Sequence, residues 1–86
     1  MDMKPLWGDK EIEDALSLKL RASHDVPHQV ESREHEGGTK ITVQVGDIYA
    51  AMLVDDESLR MPLQEFVRIY GPVLTEELEK AGAYGR

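Results

Sequence analysis

Thr39-Lys40-Ile41-Thr42-Val43-Gln44-Val45-Gly46-Asp47-Ile48-Tyr49-Ala50-Ala51-Met52-Leu53-Val54 decides the fold. Its first half alternates, with Ile41, Val43 and Val45 set against Lys40, Thr42 and Gln44. That is the period of a strand with one buried face. Gly46-Asp47 then supplies a two-residue hairpin turn with glycine in the first central position, as a type II′ turn favours. Ile48–Val54 returns as the second strand. The turn also predicts the register: Val45 opposes Ile48, Val43 opposes Ala50 and Ile41 opposes Met52, so all six share the core face. The other face sets Lys40, Thr42 and Gln44 across from Leu53, Ala51 and Tyr49.

An earlier strand is predicted over about His28–Glu34, joined through Glu36-Gly37-Gly38. Whether that loop has two residues or four, Val30 and Ser32 fall on the core face, because shifting the pairing sum by two keeps the parity. Upstream, Ile12, Ala15, Leu16 and Leu20 form one helical stripe. A helix over about Asp9–Ala22 follows, with Asp9 as its N-cap, acids in its first turns and Lys19 and Arg21 toward its C-terminal end. Pro27 closes off helical space at Val26. Residues 1–8 read as an arm, tied to the body through Leu6 and Trp7. Asp55-Asp56-Glu57-Ser58 ends the sheet. Pro62 suits an early helical position, and Leu63, Phe66, Val67, Tyr70, Leu74, Leu78 and Ala81 make one long stripe. Pro72 would clash with the Arg68 carbonyl in a continuous helix, so Gly71-Pro72 predicts a break or sharp kink. Gly82 is a natural helix stop, and residues 83–86 read as a frayed tail. The expected fold is a single α+β domain of order α-β-β-β-α-α, a three-stranded antiparallel sheet with helices on one face.

The chain of 86 residues has 17 Asp and Glu against 10 Lys and Arg, for a formal net charge of −7. Such a surface repels phosphate backbones and anionic lipid and attracts basic protein clefts. There is no cysteine, which excludes disulfides and thiolate metal sites and fits a reducing compartment. Met1–Pro5 has no apolar run after its charge, so a secretory signal is not expected. The longest apolar run, Ile48–Val54, is far short of the roughly 20 residues of a membrane span. The expectation is a cytoplasmic protein without direct contact to membrane or nucleic acid.

Catalytic and cofactor motifs are not found. His24, His28 and His35 are the one set of possible transition-metal ligands. Pro27 rules out a helical pair at His24 and His28, and imidazole spacing alone is a weak signal. His28 is expected to pack at the sheet edge with the other two solvated. Asp55-Asp56-Glu57 lacks calcium-loop spacing. The serines have no nucleophile-elbow glycines, and Gly37-Gly38 is not followed by a P-loop Lys-Ser/Thr. No enzyme, cofactor or metal is expected. The α-β-β-β-α order resembles double-stranded RNA-binding domains, but those need basic residues where this chain has Met61-Pro62-Leu63-Gln64-Glu65 and Glu34-His35-Glu36-Gly37-Gly38.

The carboxylates cluster at Asp9, Glu11, Glu13 and Asp14; at Glu31, Glu34 and Glu36; at Asp55, Asp56 and Glu57; and at Glu76, Glu77 and Glu79. Capping and solubility account for any one cluster, whereas convergence of two or more would make a phosphate-like array. In element order, size and charge the chain resembles small acidic phage-encoded anti-CRISPR inhibitors that occupy a nuclease's DNA-binding cleft. The likeness covers the whole chain but no residue motif, so it assigns no site residues. It implies an inhibitor or adaptor complementary to a basic, nucleic-acid-binding site on another protein, with an anti-CRISPR or anti-restriction DNA mimic as its sharpest form. Asp55, Asp56, Glu57, Glu76, Glu77 and Glu79 are the candidate contacts. The alternative is a structural component that homodimerises through the outer sheet face at Tyr49, Ala51 and Leu53, unless the Leu6-Trp7 arm covers them.

Overall fold

A computed structural model describes residues 7–85. Helix α1 (Asp9–Ser23) leads to strands β1 (Gln29–His35), β2 (Gly38–Val45) and β3 (Ile48–Asp55), then a short 3₁₀ turn (Ser58–Arg60) and helix α2 (Leu63–Lys80). The strands form one antiparallel sheet in the order β1-β2-β3. The fold is α+β, as its sequence predicts.

The β2–β3 register is the one that the Gly46-Asp47 turn implies, with Val45 opposite Ile48, Val43 opposite Ala50 and Ile41 opposite Met52. Gly46 takes φ +59°, a conformation that costs a side chain with a Cβ. Glu36-Gly37 is also a two-residue connection, because His35 pairs with Gly38, and it sets Ser32 opposite Ile41 and Val30 opposite Val43. Parity then divides the sheet. Ile41, Val43, Val45 and Val54 are buried, and Val30, Ile48, Ala50 and Met52 pack against them.

Ile12, Leu16 and Leu20 of α1 and Phe66, Leu74 and Leu78 of α2 close the core from the same side, with Leu59 added by the 3₁₀ turn. The N-cap of α1 is Gly8 rather than Asp9. The Gly8 amide donates to Glu11 Oε1 at 2.8 Å, so the carboxylate one turn in satisfies the group that a capping side chain leaves open.

The helices run side by side in the same direction. The Trp7 indole N–H donates to the Met61 carbonyl at 2.9 Å, a Cβ built at Gly71 would fall 2.7 Å from Lys19 Cγ, and His24 reaches Glu79. Contacts therefore advance in step along both helices. An odd number of strands between two helices dictates this, since each hairpin reverses the chain once.

Two expectations about the C-terminal third are corrected. Gly71-Pro72 does not divide the last segment, and α2 is one helix with Pro72 inside it. Proline removes one ladder bond, at about 3 kcal/mol in a helix interior. Burying Phe66, Leu74 and Leu78 is worth about 1.5–3 kcal/mol for each side chain, and all three lie on one stripe of one rigid rod. Pro72 is exposed, so the orphaned Arg68 carbonyl can face water. Gly71 is buried because the Lys19 stem crosses it. Residues 83–85 are not frayed either. The Ala83 amide donates to the Leu78 carbonyl at 2.9 Å and Gly82 to Glu79 at 3.1 Å. These are the two bonds of a Schellman stop, and they turn Tyr84 back onto the body.

Gly46→Val should destabilise the protein by at least ~1 kcal/mol, and an unchanged urea midpoint would remove the register argument. Pro72→Ala should raise stability by about 1–3 kcal/mol by restoring the donor to Arg68. An unchanged midpoint there would mean that the proline is accommodated without cost.

Candidate functional site

The carboxylates are ordered by the topology. The Ser32 amide donates to Glu13 Oε2 at 2.9 Å and its hydroxyl to Asp9 Oδ1 at 2.9 Å. The N-terminal turns of α1 are thereby held against β1, toward the end of the sheet that carries the Glu36-Gly37 turn. At that same end Gly38 pairs with Asp55, and a shallow hollow of about 270 Å³ is lined by His35, Glu36, Gly38 and Asp55, among others. The Trp7–Met61 bond ties the start of α1 to the approach to α2. Three groups distant in sequence thus lie toward one end: Asp9, Glu11, Glu13 and Asp14 of α1, Glu34 and Glu36 at the first hairpin, and Asp55, Asp56 and Glu57 at and after the end of β3.

These groups differ in what they already do. Glu11, Glu13 and Asp9 are engaged with backbone or Ser32, and Asp14 pairs with Lys10 at 3.3 Å. Asp55 Oδ1 accepts from the Ser58 amide at 2.9 Å. The Ser58 hydroxyl and amide together hold its carboxyl below the ordinary aspartate value. Among the described residues Glu34, Glu36, Asp56 and Glu57 make no ion pair or side-chain hydrogen bond, and Glu34, Glu36 and Glu57 are exposed. They are the carboxylates left for a partner. Arg33, which pairs with Glu31, Lys10 and Arg60 are the cations nearest in sequence to this end.

Glu76, Glu77 and Glu79 lie elsewhere. They occupy the C-terminal turns of α2, and a helix of that length spans about 27 Å. Glu76 pairs with Lys80 and Glu79 with His24. The two candidate acidic triplets therefore sit at opposite ends of the molecule. Asp55, Asp56 and Glu57 are joined instead by the α1 and first-hairpin acids, a convergence that needs the β1–α1 packing and has no local signal in the chain.

The outer sheet face is open among the described residues. Tyr49 is 63% and Leu53 64% exposed, and Ala51 is exposed between them. Trp7 packs against the core cluster instead of this face, and Leu6 lies outside the described residues. A second apolar surface, unflagged by periodicity, is an open groove of about 410 Å³ between the helices, lined by Ala15, Leu18, Lys19, Leu63, Val67 and Arg68, among others.

The histidines behave differently from expectation in one respect. His28 is buried at the start of β1, as anticipated, and His35 is exposed. His24 is half-buried rather than fully solvated: it stacks on Tyr84 with centroids 3.7 Å apart and planes 5° from parallel. His28 Nδ1 lies 2.7 Å from the Val26 carbonyl and Nε2 2.7 Å from the Tyr84 hydroxyl. The carbonyl can only accept, so Nδ1 carries the proton and Tyr84 donates to Nε2 in the neutral ring. Burial lowers the His28 pKa below 6.5, against the Val26 bond that raises it, while His24 and Arg21 lower it further. Burial, then Glu79, raises that of Tyr84. The cluster is a C-terminal clasp. Among the described residues no group of three or more His, Asp or Glu side chains could hold a metal ion, and no helix is long and apolar enough to cross a membrane.

No protein-family model, curated protein or solved structure matches the chain.

The clasp makes stability depend on pH. The fold holds His28 neutral, so its contribution is complete above about 6.5 and is lost as pH falls below that value through the lowered folded pKa. Urea midpoints should fall between pH 7 and pH 5. Tyr84→Phe keeps the stack, removes the donor to Nε2 and should cost about 1 kcal/mol at pH 7. An unchanged midpoint in that variant would mean that the clasp contributes nothing.

Proposed function

We propose that the protein is a non-enzymatic inhibitor or adaptor that presents its acidic end to a basic, nucleic-acid-binding site on another protein. The observation that supports this is the convergence of carboxylates from α1, the first hairpin and the β3 exit, with Glu34, Glu36, Asp56 and Glu57 unengaged. Carboxylates spaced over a rigid end substitute for a run of phosphates, and a DNA mimic directed at a CRISPR or restriction nuclease is the sharpest form of the reading. Asp55 belongs to the array mainly as a structural member, since it holds Ser58. Glu76, Glu77 and Glu79 then become a control at the far end. A chain of this charge gains most in the association rate, which salt suppresses. The homodimer reading would use the exposed Tyr49 and Leu53 instead.

Pull-down from a nuclease-containing lysate at low salt should capture a basic protein that is released both by high salt and by added duplex DNA. Replacing Glu34 and Glu36 by Gln, with Asp56→Asn and Glu57→Gln, should slow association about tenfold and leave thermal stability nearly unchanged. The same neutralisation at Glu76, Glu77 and Glu79 should have a smaller effect. Capture that ignores salt, DNA and both sets of changes would sink the electrostatic reading.

A further inference from the structure

The two-residue turns fix where backbone groups point as well as side chains. In a two-residue hairpin the residues flanking the turn form a hydrogen-bonded pair, and bonded and non-bonded pairs alternate from there. Counting from Val45 and Ile48, the non-bonded pairs of β2 and β3 are Gln44–Tyr49, Thr42–Ala51 and Lys40–Leu53. The N–H and C=O groups of Tyr49, Ala51 and Leu53 therefore point away from β2, off the edge of the sheet. The same count on β1, from His35 and Gly38, sends the Ser32 amide off the opposite edge. There it meets Glu13 at 2.9 Å, which bears out the count. The two edges are thus unequal. On β1 a helix carboxylate takes the amide of Ser32, the middle one of three outward positions with Val30 and Glu34, whereas on β3 no described group pairs with Tyr49, Ala51 or Leu53. Nor does β3 have the usual edge protection, for it contains no lysine and no proline. The residues with free backbone are also those whose apolar side chains lie on the outer face, 63% exposed at Tyr49 and 64% at Leu53.

We propose that β3 accepts a fourth strand from a basic partner: an extended segment with apolar residues at alternate positions and Lys or Arg at both flanks. Main-chain bonds to Tyr49, Ala51 and Leu53 supply the docking, and the apolar side chains supply the register. Charge selects the occupant. β3 is bounded by Asp47 at one end and by Asp55, Asp56 and Glu57 at the other, with no cation along it. A second copy fits worse. A two-fold axis at Ala51 would set Tyr49 beside Leu53 of the other copy, but it would also place Asp47 against Asp55 at both ends, between two chains of net charge −7. The inference rests on the basic-partner reading above and states how such a partner is gripped.

The probe is the peptide acetyl-Lys-Arg-Val-Thr-Val-Thr-Val-Arg-Lys-amide, used with the intact chain and followed by NMR. Two N-methylated versions accompany it. One is methylated at the three valines, whose amides face β3 when their side chains extend the Tyr49–Leu53 face, and the other at the two threonines, whose amides face solvent. Amide exchange at Tyr49, Ala51 and Leu53 should slow about tenfold at saturation. Valine methylation should weaken binding about tenfold or more, and threonine methylation should not. Equal binding by both methylated peptides, with shifts confined to Glu34, Glu36, Asp56 and Glu57, would overturn strand addition and leave the electrostatic reading standing. Absence of binding by the unmethylated peptide would also overturn it. Sedimentation of the chain alone that reveals a dimer tightening with salt, and lost in Leu53→Lys, would overturn it in favour of a second copy.

Discussion

Register in the central hairpin is the constraint on which the rest of the structure depends. A slip of one residue at Gly46-Asp47 would turn Ile41, Val43 and Val45 outward and bring Lys40, Thr42 and Gln44 against Phe66 and Leu16. No compensation elsewhere in so small a core could offset that exchange. The same parity decides that Ser32 faces α1, and Ser32 is the residue through which Asp9 and Glu13 dock the helix on β1. A buried serine left alone would cost free energy. With two carboxylates on its hydroxyl and amide it becomes a locating pin between helix and sheet. The position of the acidic end follows from that pin.

Tertiary packing overrides local preference in α2. The Gly-Pro dipeptide disfavours helix, yet the segment is anchored on both sides by buried side chains, Phe66 before it and Leu74 and Leu78 after it. A break would let the two halves swing independently and would surrender one set or the other. The glycine has a separate function, which is to let the Lys19 stem lie across the helix backbone. Read locally, the pair signals interruption. In the assembled fold one member provides clearance and the other is tolerated on the wet side.

Much of this was legible in the chain because strand parity, turn length and helical stripes are short-range properties. The Gly46-Asp47 register, the inward position of Ser32 and the stop at Gly82 all depend on residues within a few positions of one another. What escaped is long-range. Stacking of His24 on Tyr84 joins the end of α1 to the end of the chain, and no local pattern marks it. The placement of Asp9 and Glu13 toward the same end as Glu36 and Asp55 depends on which way α1 lies along β1. The separation of Asp55–Glu57 from Glu76–Glu79 is visible only once α2 is known to be unbroken. The place of Tyr49 and Leu53 on the outer face was anticipated from alternation, though not whether the arm covers them, whereas the Leu18 groove was not, because Leu18 lies off the stripe formed by Ile12, Leu16 and Leu20.

The parallel run of the two helices has a practical consequence for handling the molecule. Trp7, at the head of α1, is bonded beside the acidic end, while Gly85 follows α2 out at the other, about 27 Å of helix away. A bulky fusion or surface tether placed before Trp7 would crowd the carboxylates, whereas one placed after Gly85 would hold the molecule with that end presented to solution. Immobilisation geometry alone could then make the same protein look competent or inert in a binding assay.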